Sequence, residues 1–204
     1  MTRIVKKPEE RRREIIAMAQ KLFLEKEYEN TSLNDVVGAL GVAKGTVYHY
    51  FDSKEELLDA VVESMAQEFL AIVQKKMKLA NGTALESLKL LFKTINVSTV
   101  WKKTLKQLHQ PGNMGLHVRL LGRITRDLAP IFSEIMIQGC KEGVFRSEHP
   151  LESCEILLAG FQFMTDLGIY PWTSEELDRR SQAFSSLIEA QFQAPKGSLS
   201  FLRI

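Results

Sequence analysis

The sequence predicts an all-α fold, and three observations lead to that class. Apolar residues recur at intervals of three and four along most of the chain, which is the spacing of one helix face. Helix-start and helix-stop residues divide this pattern into segments, and no segment shows the alternation typical of a strand. The chain has 204 residues, of which 45% are hydrophobic and 25% charged, a usual balance for folded domains.

The composition also argues against a membrane or secreted protein. The longest apolar runs, such as residues 156–160, are far shorter than the roughly 20 residues that cross a bilayer. The N-terminus is charged rather than apolar. Cys140 and Cys154 are too few for a disulfide framework in a chain of this size. We therefore expect a cytoplasmic protein with no membrane partner.

The first helix is predicted over residues 8–25. Ile15, Ala19 and Leu22 follow one another at helical spacing, and Pro8 suits a first turn. The first 13 residues carry six basic and two acidic side chains and form a basic arm. The alternative to a basic arm is a solvated helix start whose charge has no partner.

A helix-turn-helix follows. Thr31 or Ser32 caps a second helix, and Gly41 stands where a left-handed C-cap ends it. A third, short helix is predicted over residues 43–50, with Val47 facing inward. In such a pair the second helix can lie in the major groove of DNA.

The rest of the chain is predicted to be helical as well. The fourth helix begins at a capping box formed by Ser53 and Glu56 and ends near Asn81-Gly82. A second capping box joins Thr173 to Glu176. The further helices cover residues 84–108, 116–121, 125–142, 151–169 and 173–192, with a loop at 109–113 and a loose tail at 194–204.

The short third helix leaves polar and aromatic residues exposed: Lys44, Gly45, Thr46, Tyr48 and His49. A tyrosine can combine a hydrogen bond to phosphate with apolar contact to a base or sugar, so a DNA groove is a suitable partner. Alternatively, Tyr48 and Tyr50 anchor the helix on its neighbours, and His49 is a solvated surface residue. The sequence alone leaves both alternatives open.

These residues resemble the DNA-binding domain of TetR-family transcriptional regulators. The resemblance covers about residues 9–62 and rests on Thr31-Ser32-Leu33, Asp35-Val36-Val37, Leu40-Gly41-Val42, the run from Lys44 to Phe51, and Ser53-Lys54-Glu55-Glu56-Leu57. It implies that Thr31 caps the second helix and touches a phosphate, and that Lys54 clamps the DNA backbone. It also implies that Lys44, Gly45 and Thr46 enter the groove, while Tyr48, His49 and Tyr50 contact bases and phosphates.

The resemblance further implies how the chain is divided. Residues 1–54 would form the helix-turn-helix DNA-binding domain with its basic arm, residues 55–193 an effector-binding and dimerisation domain, and residues 194–204 the tail. The last two long helices would form the dimer interface, with Cys154, Leu157, Leu158, Phe161 and Leu187 as candidates. A monomer with the helix 151–169 at its centre is the alternative, although one helix-turn-helix buries little DNA surface.

An apolar effector pocket is expected in the C-terminal domain. Its candidate lining residues, which are alternatively ordinary core residues, are Phe92, Trp101, Phe132, Phe163, Met164 and Trp172. His109 and His117 flank the predicted loop, but a separation of eight residues is not a spacing typical of metal ligands. Neither a metal site nor a cofactor is predicted.

The function expected from the sequence is therefore that of a homodimeric repressor. It would bind a palindromic, double-stranded operator DNA and release it when an unidentified small-molecule effector binds. The alternative is a constitutive or architectural DNA-binding protein whose C-terminal domain only dimerises. An enzyme is not expected, because the sequence has no G-x-S-x-G elbow, no phosphate-binding glycine loop and no Cys/His pair at catalytic spacing.

Overall fold

The computed structural model describes residues 7–97 and 99–202, and for residues 96, 97 and 99–102 it describes the backbone alone. This part of the chain contains no strand, so the predicted all-α class is confirmed. None of the helices described is long and apolar enough to cross a bilayer. The helices are α1 (Pro8–Lys26), α2 (Leu33–Leu40), α3 (Lys44–Tyr48), α4 (Lys54–Met77), α5 (Ala84–Val97), α6 (Thr99–Leu108), a 3-10 helix (Pro111–Asn113), α7 (Met114–Lys141), α8 (Pro150–Thr165) and α9 (Ser174–Gln191).

The chain divides into two compact units. The first comprises residues 1–65 and 103–120, and the second residues 66–102 and 121–204. The first unit thus extends past the predicted boundary at residue 54, because Leu57, Leu58 and Val61 of α4 are buried. It also includes a distant segment, 103–120, which no local sequence pattern connects to the N-terminal helices.

The predicted helix caps are present. Gly41 ends α2 with φ 63°, and its N–H donates to the carbonyl of Gly38. At the start of α4 the Glu56 amide donates to Ser53 Oγ over 3.0 Å, while the Glu56 carboxylate accepts from the Asp52 amide over 2.8 Å. The capping box that begins α9 pairs Thr173 with Glu176, as predicted.

The region between residues 84 and 142 differs from the prediction. The single helix predicted over 84–108 corresponds to α5 and α6. The two helices predicted over 116–121 and 125–142 form one helix, α7. Thr125, the first residue of the second predicted helix, lies inside the continuous helix α7. Its hydroxyl donates to the carbonyl of Leu121 over 2.9 Å, one turn earlier.

The C-terminal tail is packed rather than loose. Leu199 and Leu202 are buried in the core of the second unit. The amides of Gly197 and Leu199 donate to the Glu189 carboxylate over 2.9 and 2.8 Å, and the Ser185 hydroxyl donates to the carbonyl of Leu202. The prediction was wrong because two leucines three residues apart are enough to fix a short segment on a core.

Candidate nucleic-acid interface

The short helix α3 is held in place by the residues around it. Gly41 turns the chain after α2, and the backbone of Ala43 is extended before α3 begins. Val47 on α3 and Phe51 just after it are buried, with exposed fractions of 0% and 1%. These two anchors direct the opposite side of α3 to the surface of the first unit.

That surface carries a lysine and a tyrosine that contact each other. Lys44 is exposed, and its Nζ lies 5.1 Å from the centroid of the half-buried Tyr48 ring. Thr46 is half-buried, and Gly45 is exposed. No described atom lies within 4 Å of a Cβ built at Gly45, so the fold itself does not require a glycine there.

His49 and Tyr50 continue the surface at the end of α3. Their rings meet edge to face, with centroids 5.2 Å apart. His49 is exposed, whereas Tyr50 is half-buried. The structure thus brings His49 next to Tyr50. Because Tyr50 is half-buried, its buried part can anchor the helix while its exposed part can contact a ligand.

Lys54 is fixed at the start of α4. Its Nζ donates to the carbonyl of Glu29 over 3.2 Å and lies 4.1 Å from the ring centroid of Tyr28. Burial lowers the pKa of Lys54, and the carboxylates of Glu29 and Asp35 act in the opposite direction. The ammonium group is therefore held in one position, and Lys54 stays only partly exposed.

The expectation that Thr31 caps α2 is wrong, and its side chain has little surface to offer a phosphate. Thr31 is only 2% exposed, and its hydroxyl donates to the carbonyl of Glu27 over 2.8 Å. Ser32 is the N-cap, with its Oγ accepting from the Asp35 amide. The Asp35 carboxylate accepts from the Ser32 hydroxyl and from the Ser32 amide, and these two bonds lower the pKa of Asp35.

Two residues of this surface were missed in the sequence. Tyr28 lies outside the motif, and no local pattern indicated that it would stack on Lys54. Arg12 was counted only as part of the basic arm, yet its guanidinium lies 5.2 Å from the centroid of Phe51, beside the end of α3. Arg3 and Lys6 of the arm lie outside the described residues.

Comparison with known proteins agrees with this geometry. The family model "Bacterial regulatory proteins, tetR family" matches residues 15–61, and the model "Tetracyclin repressor-like, C-terminal domain" matches residues 95–187. The chain belongs to the TetR family of transcriptional regulators. Members of this family are regulators rather than enzymes.

Individual TetR-family relatives are distant in sequence. The HTH-type transcriptional repressor KstR2 of Rhodococcus jostii (strain RHA1) is 24% identical over 163 residues, which are 76% of this chain and 75% of that repressor. The Transposon Tn10 TetC protein of Escherichia coli is 36% identical over 75 residues, 36% of this chain and 38% of that protein. The second match thus spans little more than a third of TetC.

Solved structures of other proteins share the fold. A putative TetR-family regulator from Mesorhizobium loti MAFF303099 superimposes with a TM-score of 0.62 at 20% identity, covering 91% of this chain and 98% of that one. The reduced form of E. coli NemR gives a TM-score of 0.59 at 16% identity, with coverages of 91% and 99%. At such identities the likeness shows the fold alone.

In the C-terminal part of this TetR-family chain, the candidate interface residues separate into two groups. Cys154 and Leu158 are 0% and 4% exposed within the chain's own core, so they have no surface left for a second copy, and this part of the prediction is corrected. Leu157 and Phe161 are half-buried and Leu187 is 59% exposed. These three residues line an open groove of about 450 Å³ between α8 and α9, beside the exposed Ile156.

The candidate pocket residues do not form one group either. Phe92 and Phe132 meet edge to face at 6.0 Å inside the core of the second unit. Phe163 and Met164 are exposed near the end of α8, where the Met164 carbonyl accepts from Trp172 Nε1 over 2.9 Å. The side chain of Trp101 lies outside the described residues.

Trp172 is covered by other groups of the second unit. The guanidinium of Arg180 lies 3.4 Å from the Trp172 ring centroid, and Tyr170 stacks on the indole at 5.1 Å. This indole therefore already has a cation and an aromatic ring on its faces.

His109 and His117 do come together, contrary to what their spacing suggested. Their ring centroids lie 4.9 Å apart, and His117 is 1% exposed. The turn between α6 and α7 brings the two imidazoles side by side in the first unit. Imidazole nitrogens are common metal ligands, so this pair is a place in the first unit where a metal ion could bind.

Proposed function

We propose that this regulator is a homodimeric repressor that binds a palindromic operator through α3 and releases it when a small molecule binds to the C-terminal domain. The observation that carries the proposal is the exposed face of α3, with Lys44 stacked on Tyr48 and an open approach at Gly45. A positive charge, an aromatic ring and accessible backbone on one short helix suit a DNA groove.

Each residue of that face has a chemical role in the proposal. Lys44 donates to a guanine in the major groove, the commonest specific contact between a basic side chain and a base. Gly45 allows the helix backbone to approach the DNA, and Tyr48 contacts a base or sugar. Lys54 places its ammonium group on a phosphate, where a point charge contributes affinity without sequence preference. Thr46, His49 and Tyr50 complete the contact surface.

Dimerisation is proposed on the groove between α8 and α9. Ile156 and Leu187 are 74% and 59% exposed, and Leu157 and Phe161 line the same groove. An exposed apolar surface of this kind is typical of a protein interface. A dimer would place two copies of α3 on successive major grooves, about 34–36 Å apart, which a palindromic operator requires.

Effector release is proposed from the likeness of residues 95–187 to the tetracyclin repressor-like C-terminal domain. The C-terminal domain would have two arrangements, and the effector would shift the population towards the arrangement that it binds better. Phe92, Phe132, Phe163, Met164, Trp101 and Trp172 remain the candidate contacts. Linkage gives the test: an effector must bind more weakly to the operator complex than to the protein alone, by the same factor as it weakens operator binding.

One observation favours the second candidate function, a DNA-binding protein whose C-terminal domain only dimerises. Phe92 and Phe132 are 8% and 0% exposed and pack against each other, as ordinary core residues do. Under this alternative, no small molecule changes operator affinity. A screen in which a compound lowers operator affinity and obeys the linkage relation would exclude it.

The proposed function is tested by selecting bound sequences from a random pool of double-stranded DNA. We expect the wild-type protein to enrich an inverted repeat, and Tyr48→Ala to enrich it far less. Tyr48→Phe is the matched control, since it keeps the ring and removes only the hydroxyl. If the wild type enriches no sequence, the proposal fails; if Tyr48→Ala enriches the same repeat equally, α3 does not read it through Tyr48.

A further inference from the structure

The connection between α1 and α2, residues 27–32, contains an unfavourable backbone conformation. Glu27 has φ 68° and ψ 148°, a region that non-glycine residues rarely adopt. Such a conformation is strained and persists only where neighbouring groups hold it. The turn between α6 and α7, residues 109–113, lies against this connection, because a Cβ at Gly112 would be 3.0 Å from Glu27 Cβ.

Two hydrogen bonds join the two segments, and a third fixes Asn113 on the end of α6. Asn113, which is 0% exposed, accepts from the Tyr28 amide with Oδ1 over 2.7 Å and donates from Nδ2 to the carbonyl of Gln107 over 3.0 Å. The Glu29 amide donates to the carbonyl of Gly112 over 3.1 Å. Because Asn113 is fully buried, no water is available to replace its partners, so loss of these bonds is costly.

The same two residues, Tyr28 and Glu29, contact Lys54 with their other groups. The Glu29 carbonyl accepts from Lys54 Nζ over 3.2 Å, and the Tyr28 ring lies 4.1 Å from that nitrogen. Their backbone amides are held by the turn. A continuous series of contacts therefore runs from Asn113 through Tyr28 and Glu29 to the ammonium group of Lys54.

We propose that Asn113 is a positioning residue for DNA binding: it fixes Tyr28 and Glu29, and these hold Lys54 where its ammonium group meets a phosphate. Asn113 does not touch DNA in this arrangement. Only the last step, the contact of Lys54 with a phosphate, rests on the proposed function. The earlier steps concern the protein alone and can be tested without DNA.

The first experiment measures the environment of Lys54 in the free, full-length protein by NMR. The ring current of Tyr28 shifts the Lys54 ε-methylene protons, and we expect Asn113→Ala to remove at least about half of that shift because Tyr28 is no longer held. Gln110→Ala, an exposed position of the same turn, is the matched control and should leave the shift unchanged. An unchanged shift in folded Asn113→Ala overturns the proposal.

The second experiment is a double-mutant cycle on operator affinity. Asn113→Ala and Lys54→Ala should each weaken binding about 5- to 10-fold and each reduce the salt slope by about one counterion. The double variant of Asn113 and Lys54 should bind the operator no more weakly than the weaker-binding of the two single variants. By contrast, the double variant of Asn113→Ala and Tyr48→Ala should lose affinity by the product of the two single losses. Multiplied losses with Lys54→Ala contradict the proposal, because a merely structural role predicts them.

A measurement on the wild type covers the case in which Asn113→Ala does not fold. Operator binding should slow the hydrogen exchange of the Tyr28 and Glu29 amides, since the coupling is reciprocal. Equal exchange rates with and without operator contradict the proposal. If the wild type selects no operator at all, the proposed function fails. The Lys54 shift in the free protein then decides this proposal by itself, and an unchanged shift in a folded Asn113 variant overturns the role of the Tyr28 contact.

Discussion

Two exposed surfaces of this chain differ in chemistry and in origin. The face of α3 presents a lysine, a glycine and aromatic rings within a few consecutive residues, whereas the groove between α8 and α9 presents apolar side chains from two helices. Charge with aromatic rings suits a polyanion whose bases have flat, partly apolar faces. A groove lined mainly by apolar side chains suits another protein surface. The proposed function therefore assigns DNA to the first surface and a second copy of the chain to the other.

The largest effect is expected from a charge placed in the apolar groove. Leu187→Arg should raise the dimer dissociation constant about 100-fold or more, equivalent to ~3 kcal/mol, because an unpaired guanidinium would lose its water. Sedimentation over a range of concentrations measures this. Ser186→Arg adds the same charge at the next position and should leave the dimer intact. A Leu187→Arg variant that stays dimeric would move the interface away from this groove.

The α3 surface should respond to the loss of one ring. Tyr48→Ala should weaken specific operator binding by about 1–3 kcal/mol, the loss of one good contact, while binding to unrelated DNA changes little. Titration of operator and scrambled duplexes gives both affinities. Equal weakening on both duplexes would assign Tyr48 to the DNA backbone instead.

The substitution Gly45→Ala should change operator affinity without lowering the stability of the fold. Gly45→Ala should not lower stability, because the added Cβ meets no described atom within 4 Å and alanine favours a helix by about 0.5–1 kcal/mol. Operator affinity should nevertheless fall about 10-fold, since the methyl group hinders close approach of the backbone. Gly38→Ala on α2 has the same open surroundings and serves as the control. If Gly45→Ala binds the operator with full affinity, the DNA does not approach the α3 backbone closely at this position.

A smaller and different effect is expected at Lys54. Lys54→Ala should weaken operator and non-operator DNA alike and reduce the slope of log affinity against log salt by about one. Affinities measured at several salt concentrations provide that slope. A changed sequence preference with an unchanged slope would assign Lys54 to base recognition rather than to a phosphate.

The smallest effect, no change at all, is expected at Cys154. Burial raises the pKa of its thiol to about 12, above the usual value of 9.0, so the reactive thiolate is scarce at pH 8. Alkylation of Cys154 should therefore stay slow in wild type and equally slow in the monomeric Leu187→Arg variant, because the chain's own core protects it. If Cys154 is alkylated faster in Leu187→Arg than in wild type, the dimer protects it, and Cys154 is part of the dimer interface after all.

The sequence predicted the local features of the first unit well. Gly41, the Ser53–Glu56 pair and the short α3 depend on neighbouring residues, and all appear in the structure. The choice between Thr31 and Ser32 was also decidable, because Asp35 stands three residues after Ser32 and completes its capping box.

The long-range features could not be predicted in the same way. Asn113 contacts Tyr28 across 85 residues, and no periodicity or cap connects the two positions. The sequence indicated that Cys154 on α8 and Leu187 on α9 face protein, but not whether that protein is the same chain or a second copy. Only the folded structure distinguishes the two cases, because it buries Cys154 in the chain's own core and leaves Leu187 exposed.

The most direct test of the account is to footprint the selected operator with wild type and Leu187→Arg and to determine the mass of each complex. We expect two wild-type chains on one inverted repeat, with protected half-sites about 34–36 Å apart, and a large loss of affinity for Leu187→Arg. A single chain bound at full affinity, or an unchanged footprint and affinity in Leu187→Arg, would contradict the account of α3 and the α8–α9 groove as partner surfaces of one dimeric repressor.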